Sequence, residues 1–443
     1  MYMPPDVLSC IHALEDASYP TYAVGGCVRD HLLGLTPQDF DLCTAATPEQ
    51  MQAVFSQNKL VLAGIKHGTV GVVCPSGVVE ITTFRTEGTY ADNRHPDWVE
   101  FVTDIESDLS RRDFTVNAMA WSPTRGLCDP FCGQTDLQNC ILRAVGDPDK
   151  RFQEDALRIL RGVRFAARFR LQIEENTAQA MLRQRHLMDN LARERIFDEL
   201  CKLLLSADTQ ILLTAAPILT QVIPELAPTL NFDQHSPHHA FDLYTHIAHV
   251  TANVPPELPL RWAALLHDIG KIPTFSQDDG GRGHFYGHAK ESAAMADAIL
   301  HRLKAPTALR ENVVALIGQH MTKLEPEKKF LRRRLSALGS PLLQQVIALQ
   351  QADMGSKGVK NGMDDGYFAP IQSILNEILA EDACFAIRDL AVDGNDLMAL
   401  GLSGKQIGSC LQWLLEQVLD EILPNDPTAL LAAAQRYIPE DTK

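Results

Sequence analysis

Gly25-Gly26-Cys27-Val28-Arg29-Asp30, followed by Asp39-Phe40-Asp41-Leu42-Cys43, organises the reading of this chain. Residues 39–43 predict a β-strand, whose period of two puts both carboxylates on one face and turns Phe40 into the core. Neighbouring carboxylates repel unless a cation neutralises them. A hard divalent ion such as Mg²⁺ does so while also holding a substrate's phosphates, which points to nucleotidyl transfer. The plainer reading is an exposed polar strand face. Upstream, Tyr22-Ala23-Val24 predicts a strand running into Gly25-Gly26. A glycine pair lets backbone N–H groups approach phosphate, and Arg29, one turn into the next helix, adds charge.

Outward from this stretch the pattern is that of a small mixed α/β domain. Residues 6–17 have the period of a short amphipathic helix. Thr47-Pro48-Glu49-Gln50 carries a helix start, with Thr as N-cap, Pro at the first position and Gln closing a capping box. Residues 59–63, 68–74 and 78–84 predict strands, with Pro75-Ser76-Gly77 turning between the last two. Glu80 is a third catalytic acid if its strand neighbours that of the aspartates, and otherwise an edge-strand charge. Glu87–Asp97 is too polar for a core element and predicts a loop. Arg111 and Arg112 form either a solvated helix face or a clamp on a triphosphate. Asp129-Pro130 and Gly133 predict a turn.

Residues 151–170 (RFQEDALRILRGVRFAARFR) read as one helix with Asp155, Arg158, Arg161 and Arg164 three apart along a slowly drifting stripe. An Asp acceptor beside an Arg donor fits the base edges of cytosine and adenine, each of which sets an amine next to a ring nitrogen. Uracil and guanine present a carbonyl instead, leaving two buried acceptors unpaired. The alternative for the stripe is an i,i+3 surface ion pair.

GGCVRDHLLG, DFD, TTFR, DNRHP, RRDFTVNA, the Asp129-Pro130 turn with Gly133, EDALRILR and ERIFDEL follow one another over about residues 1–205. In this order and spacing they resemble the class II tRNA nucleotidyltransferases, the CCA-adding family of the poly(A)-polymerase-like superfamily. The resemblance implies Asp39 and Asp41 as Mg²⁺ ligands and catalytic acids, with Gly26, Arg29 and Arg112 on the triphosphate. It also implies Asp155, Arg158, Arg161 and Arg164 as the nucleotide-reading set, tRNA, ATP and CTP as partners, and in-line attack of an RNA 3′-hydroxyl on the α-phosphate. The family's CC-only members lack the loop element that DNRHP resembles.

Composition bounds these readings. A chain of 443 residues with 45% hydrophobic content has room for roughly three domains. Its ten cysteines lack paired spacing, and Cys128 and Cys132 have no second pair to complete a zinc site. The N-terminus has no basic segment leading into an apolar run, and no stretch nears the ~20 apolar residues of a membrane span. A soluble cytoplasmic protein with reduced thiols is expected. The net charge of −16 argues against indiscriminate nucleic-acid coating, which rests on Lys and Arg, but leaves room for local basic surfaces.

Residues 241–250 and 260–271 predict helices, and His267-Asp268 ends an apolar run that must lie in a core. A buried His-Asp pair is either a structural hydrogen bond or part of a metal site. With His246 before it and His288, His320 and Asp353 after it, the pattern resembles the HD-domain phosphohydrolases. That resemblance implies His246, His267, Asp268 and Asp353 as ligands of a divalent transition metal (Ni²⁺, Mn²⁺ or Co²⁺), with His288 and His320 available for a second metal or for substrate phosphate. It also implies phosphatase and 2′,3′-cyclic phosphodiesterase activity. The basic run Lys323–Arg334, with Lys357 and Lys360, is a solvated face or an RNA backbone contact. Residues 392–411 predict a loop, a helix, a glycine-rich turn and a second helix, with helix N-termini near Gly404 and Gly408 as candidate phosphate contacts.

The expected architecture is an α/β nucleotidyltransferase head (1–145) followed by a mostly α-helical neck (146–230), HD body (231–360) and tRNA-binding tail (361–443). Rival readings are a CC- or A-only adding relative, a bacterial poly(A) polymerase, and an HD hydrolase whose N-terminal module only binds tRNA. Oligomeric state is left open between monomer and dimer.

Overall fold

Thr21–Val24 (β1) is buried along its whole length, because both faces of its sheet are covered. Ala23 faces one core cluster with Leu42, Val70 and Ile81, while Tyr22 and Val24 face another with Cys43, Phe84 and Ala120. The period of two therefore serves two cores at once. The computed structural model describes residues 1–87, 99–358, 366–381 and 384–437. The chain divides into two compact units, Met1–Ala227 with His301–Ala305, and Pro228–Leu300 with Pro306–Lys443.

In the first unit, α1 (Pro5–Asp16) precedes β1, and α2 (Gly26–Leu32) follows it directly. Next come β2 (Leu42–Thr44), α3 (Pro48–Val54), β3 (Leu60–Val61), β4 (Thr69–Cys74) and β5 (Gly77–Thr83). The short strands β6 (Arg85–Glu87) and β7 (Val99–Phe101) pair with each other. After α4 (Ile105–Ser110), β8 (Ala120–Ser122) and β9 (Gly126–Cys128) complete a seven-stranded sheet of order β3-β4-β5-β2-β1-β8-β9. Among the described strands of this sheet, only β2 and β5 pair in parallel. The predicted capping box on Thr47 is formed, with Thr47 Oγ1 accepting from Gln50 N–H and Gln50 Oε1 from Thr47 N–H. The DNRHP motif lies outside the described residues, as does Lys360.

One expectation is corrected here. The strand begins at Leu42, not at residue 39. Gly25, at φ +71°, turns the β1 strand away after Val24 and sends its N–H to Met119 O, so only Asp41, whose carbonyl accepts from Val24 N–H at 3.0 Å, still touches the ladder. Asp39 lies beyond it, and both residues are exposed. Asp129 does more than turn the chain. Its carboxylate accepts from the N–H groups of Gly133 (2.7 Å) and Gln134 (2.9 Å), capping α5 (Gly133–Gln138). A Cβ at Gly133 would lie 2.1 Å from Thr115 O, so only glycine permits this approach.

The neck follows β10 (Ile141–Leu142) with α6 (Pro148–Glu154), α7 (Leu157–Phe169), β11 (Gln172–Ile173), α8 (Glu175–Gln184) and α9 (Arg193–Leu204); α6 packs on α8 and α7 on α9. Residues 151–170 are thus not one helix. Asp155 has extended backbone (φ −141°, ψ 103°), and its side chain accepts from Leu157 N–H to start α7. An Asp that caps the following helix interrupts the preceding one, which the apolar period does not reveal. The unit ends with α10 (Thr209–Thr214) and α11 (Ala216–Val222).

In the second unit, α12 (Leu243–Asn253) and α13 (Leu258–Leu266) lead to a small hairpin, β12 (Ser276–Gln277) and β13 (Gly283–His284). They are followed by α14 (His288–Arg302), α15 (Thr307–Gln319), α16 (Lys328–Leu338) and α17 (Ser340–Gly355). The α13 helix is buried all round because α12, α15 and α17 surround it. The tail holds α18 (Phe368–Ala380), α19 (Gly394–Ala399), α20 (Lys405–Leu419) and α21 (Pro427–Tyr437). Gly404 does precede α20, but Gly408 lies inside that helix and offers no helix end.

The basic run on α16 is not an open cationic stripe. Lys328 and Arg332 pair with Glu381 (2.7 and 3.0 Å), Lys329 and Arg333 with Asp420 (3.1 and 2.8 Å), and Arg334 donates to Gln319. Lys328, Lys329, Arg332 and Arg333 thus fasten acids of the tail. All ten cysteines are free thiols, and no helix among the described residues is long and apolar enough to cross a membrane.

Candidate functional site

In the first unit, the end of β1, the start of α2, the segment after α4 and one face of α7 enclose a cleft of about 450 Å³. Seven arginines (29, 111, 112, 158, 161, 164 and 195) and three aspartates (41, 113 and 155) line it, so an acidic protein concentrates positive charge here. Gly25 and Gly26 form part of the wall, as the sequence predicts.

Buried pairs hold the arginines. Arg29 donates to Asn117 Oδ1 (2.5 Å) and Asp30 Oδ1, and its guanidinium lies 4.2 Å from the centroid of the Phe169 ring. Asn117 in turn donates to Asp113, which also accepts from Arg161 Nη2 at 2.7 Å. Burial would raise the Asp113 pKa, but the Arg161 charge outweighs it and holds the carboxyl at about 2. Arg111 and Arg112 converge on the buried Asp108 at 2.8 and 3.4 Å. Arg164 donates to Glu199 on α9 at 2.5 Å, with both side chains buried, and stacks over Phe165.

The alternative reading of the stripe, an i,i+3 ion pair between Asp155 and Arg158, is not formed. Asp155 pairs with Arg195 (2.9 Å), while Arg158 is held by Glu154 (2.6 Å) and by the carbonyls of Arg151 and Arg111. Both still line the cleft, each fixed by a different neighbour. Three of Arg158's five N–H donors are thereby taken, which leaves donors for a ligand. Asp108, Asp113, Asn117, Glu154, Arg195 and Glu199 were missed as partners by sequence reasoning. The signal for the last two was the ERIFDEL segment, where Arg195 and Glu199 stand four apart on one helix face.

Asp41 lines the cleft and Asp39 lies just outside its lining. Partial desolvation pushes the Asp41 pKa up, Arg112 opposes this, and Asp39 adds to it. A cation would relieve that strain, and hard oxygen donors suit Mg²⁺. The condition set for Glu80 is met in part. Strand β5 neighbours β2 in parallel, with Leu42 opposite Ile81, but Glu80 is not among the residues lining the cleft, nor among the charges acting on Asp41.

Because Arg164 and Glu199 are both buried, removing one strands the other. Glu199→Ala is expected to cost about 3–5 kcal/mol of stability, read from the urea midpoint. A change below ~1 kcal/mol would show that water already screens the pair.

The second unit holds a cluster of another kind. His246 on α12, His267 and Asp268 after α13, and Asp353 on α17 bring their ligand atoms together in a buried site. His246 Nε2 lies 3.0 Å from Asp353 Oδ1 and 3.4 Å from Asp268 Oδ2, and His267 Nε2 lies 3.2 Å from Asp268 Oδ2. The Nδ1 atoms approach the backbone carbonyls of Ser356 (3.3 Å) and Ala264 (2.8 Å), an arrangement that leaves bare Nε2 lone pairs facing carboxylates. His246 Nε2, His267 Nε2 and Asp268 Oδ2 are buried and make no well-formed hydrogen bond despite these approaches. Acceptors meeting acceptors in a dry site call for a cation, and the mixed imidazole and carboxylate donors suit a transition ion. The same carboxylates make the pocket favourable to positive charge, whether carried by an ion or by a proton. Burial works against a charged His246, yet Asp268 and Asp353 outweigh it and raise its pKa to about 9. Lys271 adds a further charge, 2.7 Å from Asp268 Oδ2 and 2.9 Å from Gln234.

An arginine-lined cleft beside a glycine turn and paired acids defines a nucleotide-handling head. Accordingly, residues 21–143 match the family described as Poly A polymerase head domain. Residues 170–230 match a probable RNA and SrmB-binding site of polymerase A, and 243–354 the HD domain. The CCA-adding enzyme of Streptococcus thermophilus is 31% identical over 98% of both chains. That of Ligilactobacillus salivarius is 47% identical over 198 residues, 45% of this chain and 48% of the relative, so the aligned stretch spans about half of that relative's length. Among solved structures, the Bacillus stearothermophilus CCA-adding enzyme in complex with CTP covers 98% of both chains at 25% identity and TM-score 0.70. The Thermotoga maritima CCA-adding enzyme, complexed with tRNA, shares the fold at 20% identity and TM-score 0.62. The chain belongs to the CCA-adding enzyme family.

Proposed function

We propose that this chain adds and repairs the 3′-terminal CCA of tRNA from CTP and ATP, without a template and with release of pyrophosphate, in the cytoplasm. The observation that carries the reading is the convergence of seven arginines and Asp41 on one cleft whose far wall holds Asp155 and Arg158. Arg29 and Arg112, with the Gly26 backbone, grip the triphosphate. Asp155 and Arg158 read the amine and ring nitrogen of cytosine or adenine, while Arg161 and Arg164 keep that wall rigid through Asp113 and Glu199. Asp39 and Asp41, with Glu80 as a third acid, hold Mg²⁺, which when bound supplies charge stabilisation at the reacting phosphate. The chain's own acids thus set the position where the RNA 3′-hydroxyl attacks.

We assign residues 1–145 to the catalytic head, 146–230 to the neck, 231–360 to the HD body and 361–443 to the tRNA-binding tail. The convergent imidazoles of the body favour a second activity, metal-dependent release of phosphate from monoesters or 2′,3′-cyclic ends. His246, His267, Asp268 and Asp353 hold the transition ion, and Lys271 fixes the Asp268 carboxylate.

The test is the product ladder on tRNA lacking CCA with CTP alone, ATP alone and both. Addition of two C residues, then A only after them, is expected. Long A tails on generic RNA would identify a poly(A) polymerase. Arrest after CC with both nucleotides present would identify a partial enzyme.

A further inference from the structure

We infer that Asn117 is a positioning residue that fixes the distance between the phosphate grip and the base-reading wall, so that base choice depends on a side chain that reads no base; this rests on the nucleotide reading of the cleft. Arg29 stands on α2 and pairs with Asp30, while Arg161 stands on α7 and pairs with Asp113. Asn117 joins the two. Its Oδ1 accepts from Arg29 Nη1 at 2.5 Å and its Nδ2 donates to Asp113 Oδ1 at 3.2 Å, while Asp113 Oδ2 accepts from Arg161 Nη2 at 2.7 Å. One line of directed bonds therefore runs from α2 to α7 along the cleft lining.

Burial and polarity make the amide more than filling. Arg29, Asn117 and Asp113 are each more than nine-tenths buried, so bulk water does not take the place of a lost partner. The amide also fits in one sense only. Turned over, it would set its NH₂ against the guanidinium and its oxygen against the carboxylate. The backbone is held as well, with Asn117 N–H donating to Phe114 O at 2.9 Å and Phe114 N–H to Asp113 Oδ1 at 2.8 Å. Phe169 gives Arg29 a second contact on α7, 4.2 Å from the ring centroid. A cation over a ring tolerates displacement out to ~6 Å, whereas a hydrogen bond fixes distance and direction. A nucleotide gripped at Arg29 must meet Asp155 and Arg158 with its base edge. The span that Asn117 sets therefore decides whether an ill-matched base can shift to relieve its unpaired acceptors.

In the experiment, full-length parent and Asn117→Ala extend tRNA lacking CCA with CTP alone and with UTP alone. Inorganic tripolyphosphate, which has no base, is titrated as an inhibitor of both proteins. In Asn117→Ala, kcat/KM for CTP is expected to fall by about tenfold or more and that for UTP far less. The tripolyphosphate inhibition constant should stay near the parent's, because Asp30 still holds Arg29. A CTP-to-UTP ratio equal to the parent's overturns the positioning role, since a merely structural loss lowers both alike. Loss of tripolyphosphate inhibition overturns it too, by making Asn117 part of the grip itself. Parent protein that does not extend with CTP defeats the nucleotide reading beneath the inference. Should alanine unfold the head, Asn117→Ser, which keeps a hydroxyl in the gap but cannot span it, is held to the same ratio.

Discussion

Asp41→Ala is expected to reduce nucleotide addition by about a thousandfold or more while leaving phosphate release by the HD body unchanged. A cation at a reacting phosphate is worth several kcal/mol, and each 1.36 kcal/mol is tenfold in rate. Losing half of its carboxylate pair forfeits most of that. The substitution does not threaten the fold. Asp41 is exposed, it touches the ladder through its backbone carbonyl, and its carboxyl is destabilised by desolvation and by Asp39. Thermal unfolding should therefore be unchanged or shifted slightly upward. Single-turnover extension of tRNA ending in CC by one A measures the effect. Addition within tenfold of the parent would remove Asp41 from the reaction, and Asp39→Ala provides the parallel case.

His267→Ala carries the opposite pattern: phosphate release lost by a hundredfold or more, with CCA addition retained. Groups that merely orient a metal ligand cost 10–100-fold when removed, so a ligand itself should cost at least as much. The arginine-lined cleft and the His-Asp cluster lie in separate compact units and, among the described residues, share no proposed ligand. Treatment with EDTA separates them further. Both activities should fall, Mg²⁺ should restore addition, and Ni²⁺ should restore phosphate release. Phosphate release that survives both His267→Ala and EDTA would refute the metal assignment.

These expectations draw unequally on the sequence. The glycine pair, Asp39 and Asp41, and the His-Asp pair were legible as residue types at short spacing, because turns, strands and helices impose local periods. The helix break at Asp155 was not. The apolar positions keep their period across it, and a capping aspartate looks like any other helix-surface acid until its backbone is seen. The pairing of the basic run on α16 was not legible for a related reason, since its partners Glu381, Asp420 and Glu421 lie far along the chain.

The sequence by itself determined the chemistry that each unit can support, since ligand types and their order are written along the chain. It also determined the helical and strand character that brings those residues near one another. Only the tertiary structure decided who holds whom: Asp155 with Arg195, Arg161 with Asp113, Arg164 with Glu199, and Asp268 between two sets of histidines. The physical reason is range. Local dihedral preferences act over a few residues, whereas desolvation and charge pairing select partners by distance in space.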